Sequence, residues 1–319
     1  MSTQRQIPPT LSTDALLAKS QKFIADGLAA RNSQDESAYP LAAAIALELL
    51  AKAALASQHP SLIVDTKRNE NTLLVAAGFP VETRVATISA ETAYARMKHL
   101  NSRFTESVRE SCVKLAGARN AHLHSGELPF AGGGHQRWEP DFWYAVEVIL
   151  ETVGKTFEDW LGTEGATLSK SVLDNARAAR KAATSTKLMH YKAHFLVLHP
   201  KSKEQKEAIA KSDSLDPDEI GRSNLRRRYD EYWLIECPAC EARGIAGGDH
   251  AETLLSEDQD GMDFGFERVL EVYQADEFYC PTCGIHLSSD DEIFFAGMDG
   301  AHDVESEREI EWEPDYGND

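Results

Sequence analysis

Residues 40–58 read PLAAAIALELLAKAALASQ and carry the clearest structural signal in the N-terminal half of the chain. Apolar side chains occur on nearly every face of this stretch, which is typical of a helix buried in the middle of a protein. Proline is favoured in the first turn of a helix, and His59-Pro60 ends the pattern. We therefore expect a central core helix with other helices packed around it.

Further helical patterns surround this core helix, and apolar runs suited to β-strands occur only near the C-terminus. The sequence predicts a mainly α fold: a helical bundle, then a long basic helix, then a small β-rich domain. Helices are expected at 11–30, 90–103, 105–124, 140–161 and 168–198. The predicted domains are a helical domain (1–165), a basic helical connector (166–235), a cysteine-bearing domain (236–300) and an acidic mobile tail (301–319).

The net charge of −19 is distributed very unevenly along the 319 residues. Residues 1–165 carry a net charge of −3, residues 166–235 carry +5, and residues 236–319 carry −21. Because contacts with phosphates dominate nucleic-acid affinity, an RNA partner is expected on the first two-thirds of the chain. The acidic C-terminal part is better suited to a protein partner, or to the chain's own basic segment.

The N-terminus is polar and lacks the basic start and apolar core of a secretory signal. The sequence contains no run of eighteen apolar residues, so we expect no membrane-spanning helix. We therefore expect a cytoplasmic protein without a membrane partner.

Four of the five cysteines form two Cys-x-x-Cys pairs separated by 39 residues. Each pair places two thiols on one tight turn, and two such turns complete a tetrahedral zinc site. The expected ligands of one structural zinc ion per chain are Cys237, Cys240, Cys280 and Cys283. Four sulfur ligands leave no open position, so this metal is not expected to be catalytic. His286 and His250 are weaker alternative ligands, and Cys112 is expected to be a small buried apolar residue.

Residues 119–126 read RNAHLHSG at the C-terminal end of a predicted helix. This octapeptide brings one permanent cation, one amide and two imidazoles within two helical turns. Arginine suits phosphate oxygens, and histidine is the side chain best able to transfer protons near neutral pH. These are the groups that RNA cleavage without a metal requires. Gly126 is placed where a C-terminal cap is expected.

The spacing of Arg119, Asn120 and His124 resembles the HEPN superfamily (higher eukaryotes and prokaryotes nucleotide-binding), in which a histidine follows an arginine after four to six residues. The resemblance extends to the core helix with its inward candidate Glu48 and to the aromatic helix after Pro140, and it covers roughly residues 10–163. His122 falls outside the family spacing and is a possible additional site residue.

The resemblance implies a metal-independent endoribonuclease that needs no cofactor for catalysis. The RNA 2′-hydroxyl would attack the adjacent phosphate, with His124 as general acid or base. Arg119 would stabilise the charge on the phosphorane, and Asn120 would orient the phosphate or His124. The resemblance also implies a homodimer through the HEPN domain, and a role as a toxin or antiviral defence effector, as in toxin-antitoxin systems.

Other interpretations remain open at this point. Arg119 could pair with Glu127 or Glu110, and Glu48 with Lys52, which is four residues further along the helix. The alternative function is a non-catalytic scaffold that docks a protein partner through the acidic domain. In the basic segment, Arg177, Arg180, Lys181 and Lys187 are predicted to bind RNA, whereas the alternative is a solvated linker helix.

Overall fold

Helix α2, Ala38–Gln58, is the buried centre of the N-terminal part of the protein in the computed structural model, which describes residues 7–33, 35–259 and 265–310. The prediction of a central core helix is confirmed. Within the described part of the chain, α2 is the one helix long and apolar enough to cross a membrane, and 67% of its apolar window is buried inside the protein.

The chain divides into two compact units, the first ending at Ala176 and the second beginning at Arg177. The first unit is built from helices that pack around α2, with α1 making the most extensive contact. The other helices of this unit are α1 (Thr13–Ala30), α3 (Thr72–Ala76), α4 (Ala90–Met97), α5 (Glu106–His124) and α6 (Glu139–Thr152). Short 3-10 turns lie at Pro9–Leu11, Pro60–Ile63 and His135–Arg137.

A buried carboxylate ties the start of α6 to the rest of the first unit. Glu139 is only 2% exposed. It accepts hydrogen bonds from Arg31 at 2.7 and 2.8 Å and from the Tyr39 hydroxyl at 2.7 Å. A buried charge is tolerated when it is paired and hydrogen-bonded in this way. These bonds hold the start of α6 to the C-terminal end of α1 and to the first turn of α2.

Helix α7, Phe157–Leu198, runs from the first unit into the second and is interrupted at Gly162. Gly162 has φ +71° and ψ 178°, a backbone conformation that residues other than glycine strongly disfavour. The element is therefore a short helix followed by a long one. This break lies three residues before the predicted end of the helical domain at residue 165.

The second unit combines helices with an antiparallel sheet. After α7 come α8 (Ser202–Ser212) and α9 (Pro217–Asn224), and α10 (Asp290–Phe295) follows the fourth strand. The strands are β1 (Glu231–Glu236), β2 (Arg243–Leu255), β3 (Phe266–Tyr279), β4 (His286–Leu287) and β5 (Ala301–Glu309).

The order of the sheet is β1-β2-β3-β4, and β5 also pairs with β3. On the edge that does not pair with β2, strand β3 is long enough to pair with two strands. Its first nine residues, 266–274, pair with β5, whereas Phe278 and Tyr279 near its end pair with β4. Register shifts between β2 and β3 near Gly248 and His250 bend this hairpin.

The prediction of a mainly α fold with a small β-rich domain is wrong. The protein is 54% helical and carries a five-stranded antiparallel sheet, so it is a mixed α and β protein. The acidic insertion between the cysteine pairs forms most of the long β2–β3 hairpin. Backbone pairing with a neighbouring strand stabilises this segment, together with buried apolar side chains such as Val269 and Phe278.

The tail also differs from its predicted form within the described residues. Residues 301–309 form β5, in which Val304 and Ser306 alternate with exposed acidic residues. Residues 311–319 of the predicted tail lie outside the described part. The predicted connector, 166–235, contains most of α7, all of α8 and α9, and all but the last residue of β1.

Candidate functional site

Two matching turns present the four paired cysteines. In each turn the amide four residues after the first cysteine donates to that cysteine's carbonyl: Glu241 to Cys237 at 2.9 Å, and Gly284 to Cys280 at 2.8 Å. Both of these fourth residues have a positive φ, 64° at Glu241 and 83° at Gly284. Glycine adopts that backbone easily, whereas glutamate does so at a cost. The sequence predicts the turn at Gly284 but gives no sign of its counterpart at Glu241.

The four sulfurs lie within 4.8 Å of one another and all four residues are buried. The Sγ atoms of Cys237 and Cys283 are 3.7 Å apart, and those of Cys240 and Cys280 are 3.6 Å apart. A zinc–sulfur bond of about 2.3 Å in a tetrahedral site requires sulfurs about 3.8 Å apart. The cluster could therefore hold a metal ion, and its dimensions are consistent with zinc.

The two histidines considered as alternative ligands are engaged elsewhere. His286 Nε2 bonds to the buried carboxylate of Glu277, and His250 Nε2 lies 2.7 Å from Glu271. All five cysteines are free thiols, so the described part of the chain contains no disulfide. Cys112 is buried in the first unit, which fits the small apolar role expected for it.

Glu277 forms a buried cluster in the second unit that the sequence analysis missed. Its carboxylate accepts hydrogen bonds from Tyr229 at 2.8 Å and from Arg226 at 3.0 Å, in addition to His286. Burial alone would raise the pKa of Glu277, but these hydrogen bonds outweigh it and lower the pKa to about 2. The only signal in the sequence is the run Arg226-Arg227-Arg228 ahead of an acidic domain.

Arg119 lies on α5 facing the core helix, where it makes an ion pair with Glu48. Its Nη2 donates to Glu48 Oε2 at 2.7 Å, and Lys52 Nζ donates to Glu48 Oε1 at 2.7 Å. Burial alone would raise the pKa of Glu48, but the two cations lower it below its ordinary value. Glu48 therefore holds both cations, whereas Glu127 and Glu110 are not the partners of Arg119.

The other residues of the octapeptide lie on different sides of the helix tip. His122 is half-buried against Phe130, with ring centroids 5.6 Å apart, whereas Asn120 and His124 are exposed. Helix α5 stays regular through His124, and Ser125 ends it in an extended conformation, a role expected of Gly126. In a regular helix Arg119 and His122 are roughly 60° apart, but Arg119 and His124 are roughly 140° apart.

Two buried nitrogen atoms at this helix tip have no hydrogen-bond partner in the described ranges of the chain. Neither Arg119 Nε nor His122 Nδ1 finds a hydrogen-bond partner among the residues that the structure describes. Within the same residues, no hydrogen bond or ion pair joins Arg119 to His122 or His124. Buried polar atoms are usually satisfied, so these two nitrogens are candidates for contact with a ligand or water. The structure brings Arg119 and Glu48 together, but not Arg119 and His124 within one monomer.

The basic face of α7 is partly engaged by the acidic helix α10. Arg180 pairs with Asp291, and Lys187 Nζ donates to Glu292 at 2.8 Å. Lys181 is exposed. Two of the four cations predicted to bind RNA are thus neutralised within the second unit. Arg177 also interacts with another group of the protein.

Comparisons with protein-family models, with curated proteins and with solved structures found no match. The resemblance to the HEPN superfamily has no support from these comparisons.

Proposed function

We propose that the first unit is a metal-independent endoribonuclease whose site is the C-terminal tip of α5. The 2′-hydroxyl of an RNA ribose would attack the adjacent phosphate while His124 accepts its proton. The 5′-oxygen would then leave with a proton supplied by a histidine, giving a 2′,3′-cyclic phosphate and a 5′-hydroxyl. Arg119 would stabilise the charge that develops on the phosphate oxygens, and Asn120 would orient the phosphate.

The observation that carries this proposal is the fixed position of the Arg119 guanidinium. Glu48 holds it from one side, and Lys52 holds Glu48 in turn. The Arg119 side chain is 19% exposed, so it is not fully shielded from solvent. A cation pre-positioned by its neighbours stabilises a transition state without the cost of ordering a flexible side chain.

The placement of His124 favours a site shared between two copies of the chain. His124 points to solvent, more than a quarter-turn around α5 from Arg119, so a single copy leaves the two groups on different faces. Leu123 and Leu128 beside it are 49% and 72% exposed. We therefore propose that a second copy covers this tip, so that Arg119 of one copy acts with His124 of the other.

The second candidate function is a non-catalytic scaffold, and the ion pair of Arg119 favours it. An arginine that already has a carboxylate partner is as well explained by stability as by catalysis. In that case the exposed leucines would dock a partner protein, and the acidic second unit would offer another docking surface.

For the four-cysteine cluster we propose a structural zinc ion, one per chain. All four sulfurs would be ligands, so no position would remain for a substrate or water. A cytoplasmic role as a toxin or antiviral effector is also part of the proposal, and it is based on the HEPN resemblance alone.

The test is cleavage of a mixed RNA pool by the purified full-length chain without added metal. A second arm contains a chelator, and the zinc content is measured in the same sample. We expect cleavage in both arms and cyclic phosphate ends by mass spectrometry. An oligonucleotide with a 2′-O-methyl group at the cleaved position should resist cleavage because it lacks the attacking hydroxyl.

Variants separate catalysis from scaffolding. Arg119→Ala and His124→Ala should each reduce cleavage at least about 100-fold. His99→Ala changes an exposed histidine elsewhere in the same unit and should leave the rate unchanged. If no RNA is cleaved, or if the His124→Ala variant cleaves as fast as the parent protein, the nuclease proposal is wrong and the scaffold is favoured.

A further inference from the structure

The first unit contains a cavity of about 380 Å³ between α5, α6 and the segment around Phe130. Small-molecule sites in proteins are typically concave, mostly apolar and about this size. The cavity is lined by one face of α5, on which Ser111, Leu115 and Ala118 are spaced three or four residues apart. It does not include Arg119 or His124, so it is separate from the proposed cleavage site.

One wall of the cavity is aromatic. Trp138, Phe130 and Phe142 line it, and the ring centroids of Trp138 and Phe142 are 5.8 Å apart. The Tyr39 ring also packs against Trp138, with ring centroids 5.0 Å apart. The thiol of Cys112 also lines the cavity, and burial raises its pKa so that it stays uncharged. Rings held by neighbours in this way offer a preformed surface for a flat ring of a ligand.

The rim of the cavity is charged. Arg137 is exposed and forms no ion pair with any residue in the described ranges, and Lys114 has only a loose contact of 3.9 Å with Glu110. One acid, Asp141, lines the cavity as well, and it already interacts with another group of the protein. The two cations therefore leave the rim with a net positive charge, which favours an anion.

A second cavity adjoins the first at Phe130, which lines both. This second cavity, of about 280 Å³, contains His122 together with Asp35 and Glu36. Its two carboxylates disfavour an anion. The anionic group of a ligand is thus expected at the cations that line the first cavity, Lys114 and Arg137.

We propose that the larger cavity binds a small aromatic anion. The flat ring would lie against Trp138 and Phe130, and a carboxylate or phosphate attached to the ring by a short link would contact Arg137 and Lys114. Both anions share the chemistry that a guanidinium and an ammonium recognise. This site does not depend on RNA cleavage.

The test is ligand-observed NMR and calorimetry on the full-length protein with two matched pairs of compounds. Indole-3-acetate is compared with indole-3-acetamide, and phenyl phosphate with phenol. Ligands of this size are expected to bind with a Kd of about 1 mM. At least one anion should bind at least about fivefold more tightly than its neutral partner. The pair with the larger ratio of affinities shows whether the site prefers a carboxylate or a phosphate.

Three variants test the location. Ala118→Leu should fill the cavity and reduce binding at least about fivefold. Arg137→Gln changes an exposed side chain, so it should leave the fold intact and remove most of the preference for the anion. Arg68→Gln removes an exposed arginine outside the cavity and serves as the matched control.

The proposal is overturned if neither anion binds, if the neutral compounds bind equally well, or if Arg137→Gln and Ala118→Leu leave binding unchanged. These results would say nothing against RNA cleavage. Conversely, an inactive protein that still binds the anion at this cavity would contradict only the nuclease proposal.

Discussion

Glu106, the first residue of α5, holds two cations at once. Its carboxylate accepts hydrogen bonds from Arg109 Nε at 2.7 Å and from Lys98 Nζ at 2.7 Å. The hydrogen bond from Arg109 is the main reason that the pKa of Glu106 falls to about 2. The position also suits a carboxylate because the N-terminus of a helix carries partial positive charge.

The first prediction concerns the stability of the first unit in acid. The pKa of Glu106 is lower in the folded state than in the unfolded state. Its contribution to the free energy of unfolding is therefore fully present above about pH 4.5. The contribution is then lost as the pH falls towards 2. Glu106→Gln should therefore lower stability at pH 7 and make thermal unfolding less dependent on pH between 4.5 and 2.

The control for this prediction is Glu110→Gln, four residues further along α5. Glu110 is largely exposed, and its only described ion pair has a distance of 3.9 Å. Calorimetry of the parent protein and both variants at several pH values gives the comparison. An identical pH dependence for the parent protein and Glu106→Gln would contradict the role assigned to this carboxylate.

Some residues of the candidate site could be predicted from the sequence, and others could not. The cysteine pairs could be predicted because metal-ligand spacing is local in sequence. Glu48 could be named as an inward residue, but its simultaneous contact with Lys52 and Arg119 depends on how α5 packs against α2. The left-handed backbone at Glu241 could not be predicted either, because glutamate carries no preference for it.

At the level of elements, helix α7 is interrupted by a glycine with a non-helical backbone conformation. Gly162 adopts φ +71° and ψ 178° with open space around the position of a Cβ atom. A substitution there would meet no steric clash with neighbours, so the backbone itself sets the cost. Gly117 also has open space around the position of a Cβ atom, but it lies within the regular helix α5. Its backbone therefore suits residues other than glycine.

The second prediction uses this contrast between two glycines. Gly162→Ala should destabilise the protein by about 1–3 kcal/mol, because alanine strongly disfavours that conformation. Gly117→Ala should stabilise it by about 0.5–1 kcal/mol, because alanine favours a helix and restricts the unfolded chain. Urea midpoints measure both effects. Effects of the same sign in the two variants would contradict the kink.

A third prediction concerns the contact between α7 and α10. Lys187 is partly buried and bonded to Glu292, whereas Lys181 is exposed and has no ion pair among the described residues. Lys187→Met should cost about 1 kcal/mol of stability, and Lys181→Met less than about 0.5 kcal/mol. High salt should shrink the difference. The difference in stability is measured by hydrogen exchange of the α10 backbone amides. Equal protection of these amides in the two variants would argue against this contact.

The elements of the chain differ in how well their sequences predict them. Helices α1, α2 and α5 could be predicted because their apolar residues recur with a helical period or fill the whole surface. Strand β5 could not, because its side chains are mostly charged and its stability comes from pairing with β3. The outer half of the β2–β3 hairpin is different, because it contains the apolar run at residues 269–273, which suits a strand. That run alone does not reveal how far the two strands extend.

For the whole molecule, the uneven charge is partly balanced within the second unit. Arg227 bonds to Asp249 at 2.9 Å and to Asp276 at 2.7 Å, and Arg226 bonds to Glu277. The basic run that precedes the sheet therefore neutralises acids of the sheet. The segment that carries +5 and the segment that carries −21 belong largely to one folded unit, which the charge count alone could not reveal.

The last prediction concerns the dependence of the second unit on its metal. Cys237, Cys240, Cys280 and Cys283 lie in the core cluster of this unit together with Phe278 and Ile285. Metal binding of this kind contributes directly to folding. We therefore expect one zinc ion per chain by mass spectrometry. Removal of that ion should abolish hydrogen-exchange protection in β1–β3, whereas α2 and α6, which belong to a separate core, should stay protected.

Substitution of single cysteines tests the same dependence without a chelator. Cys240→Ser should lose zinc and the protection of the sheet. Cys112→Ala changes a buried cysteine of the first unit, so it should keep both and destabilise only its own helices. If Cys240→Ser retains a protected sheet, side-chain packing is sufficient to hold the second unit and the metal is not structural. If Cys112→Ala loses zinc, the two cores are coupled, and the first unit cannot be treated as folding independently of the four-cysteine cluster.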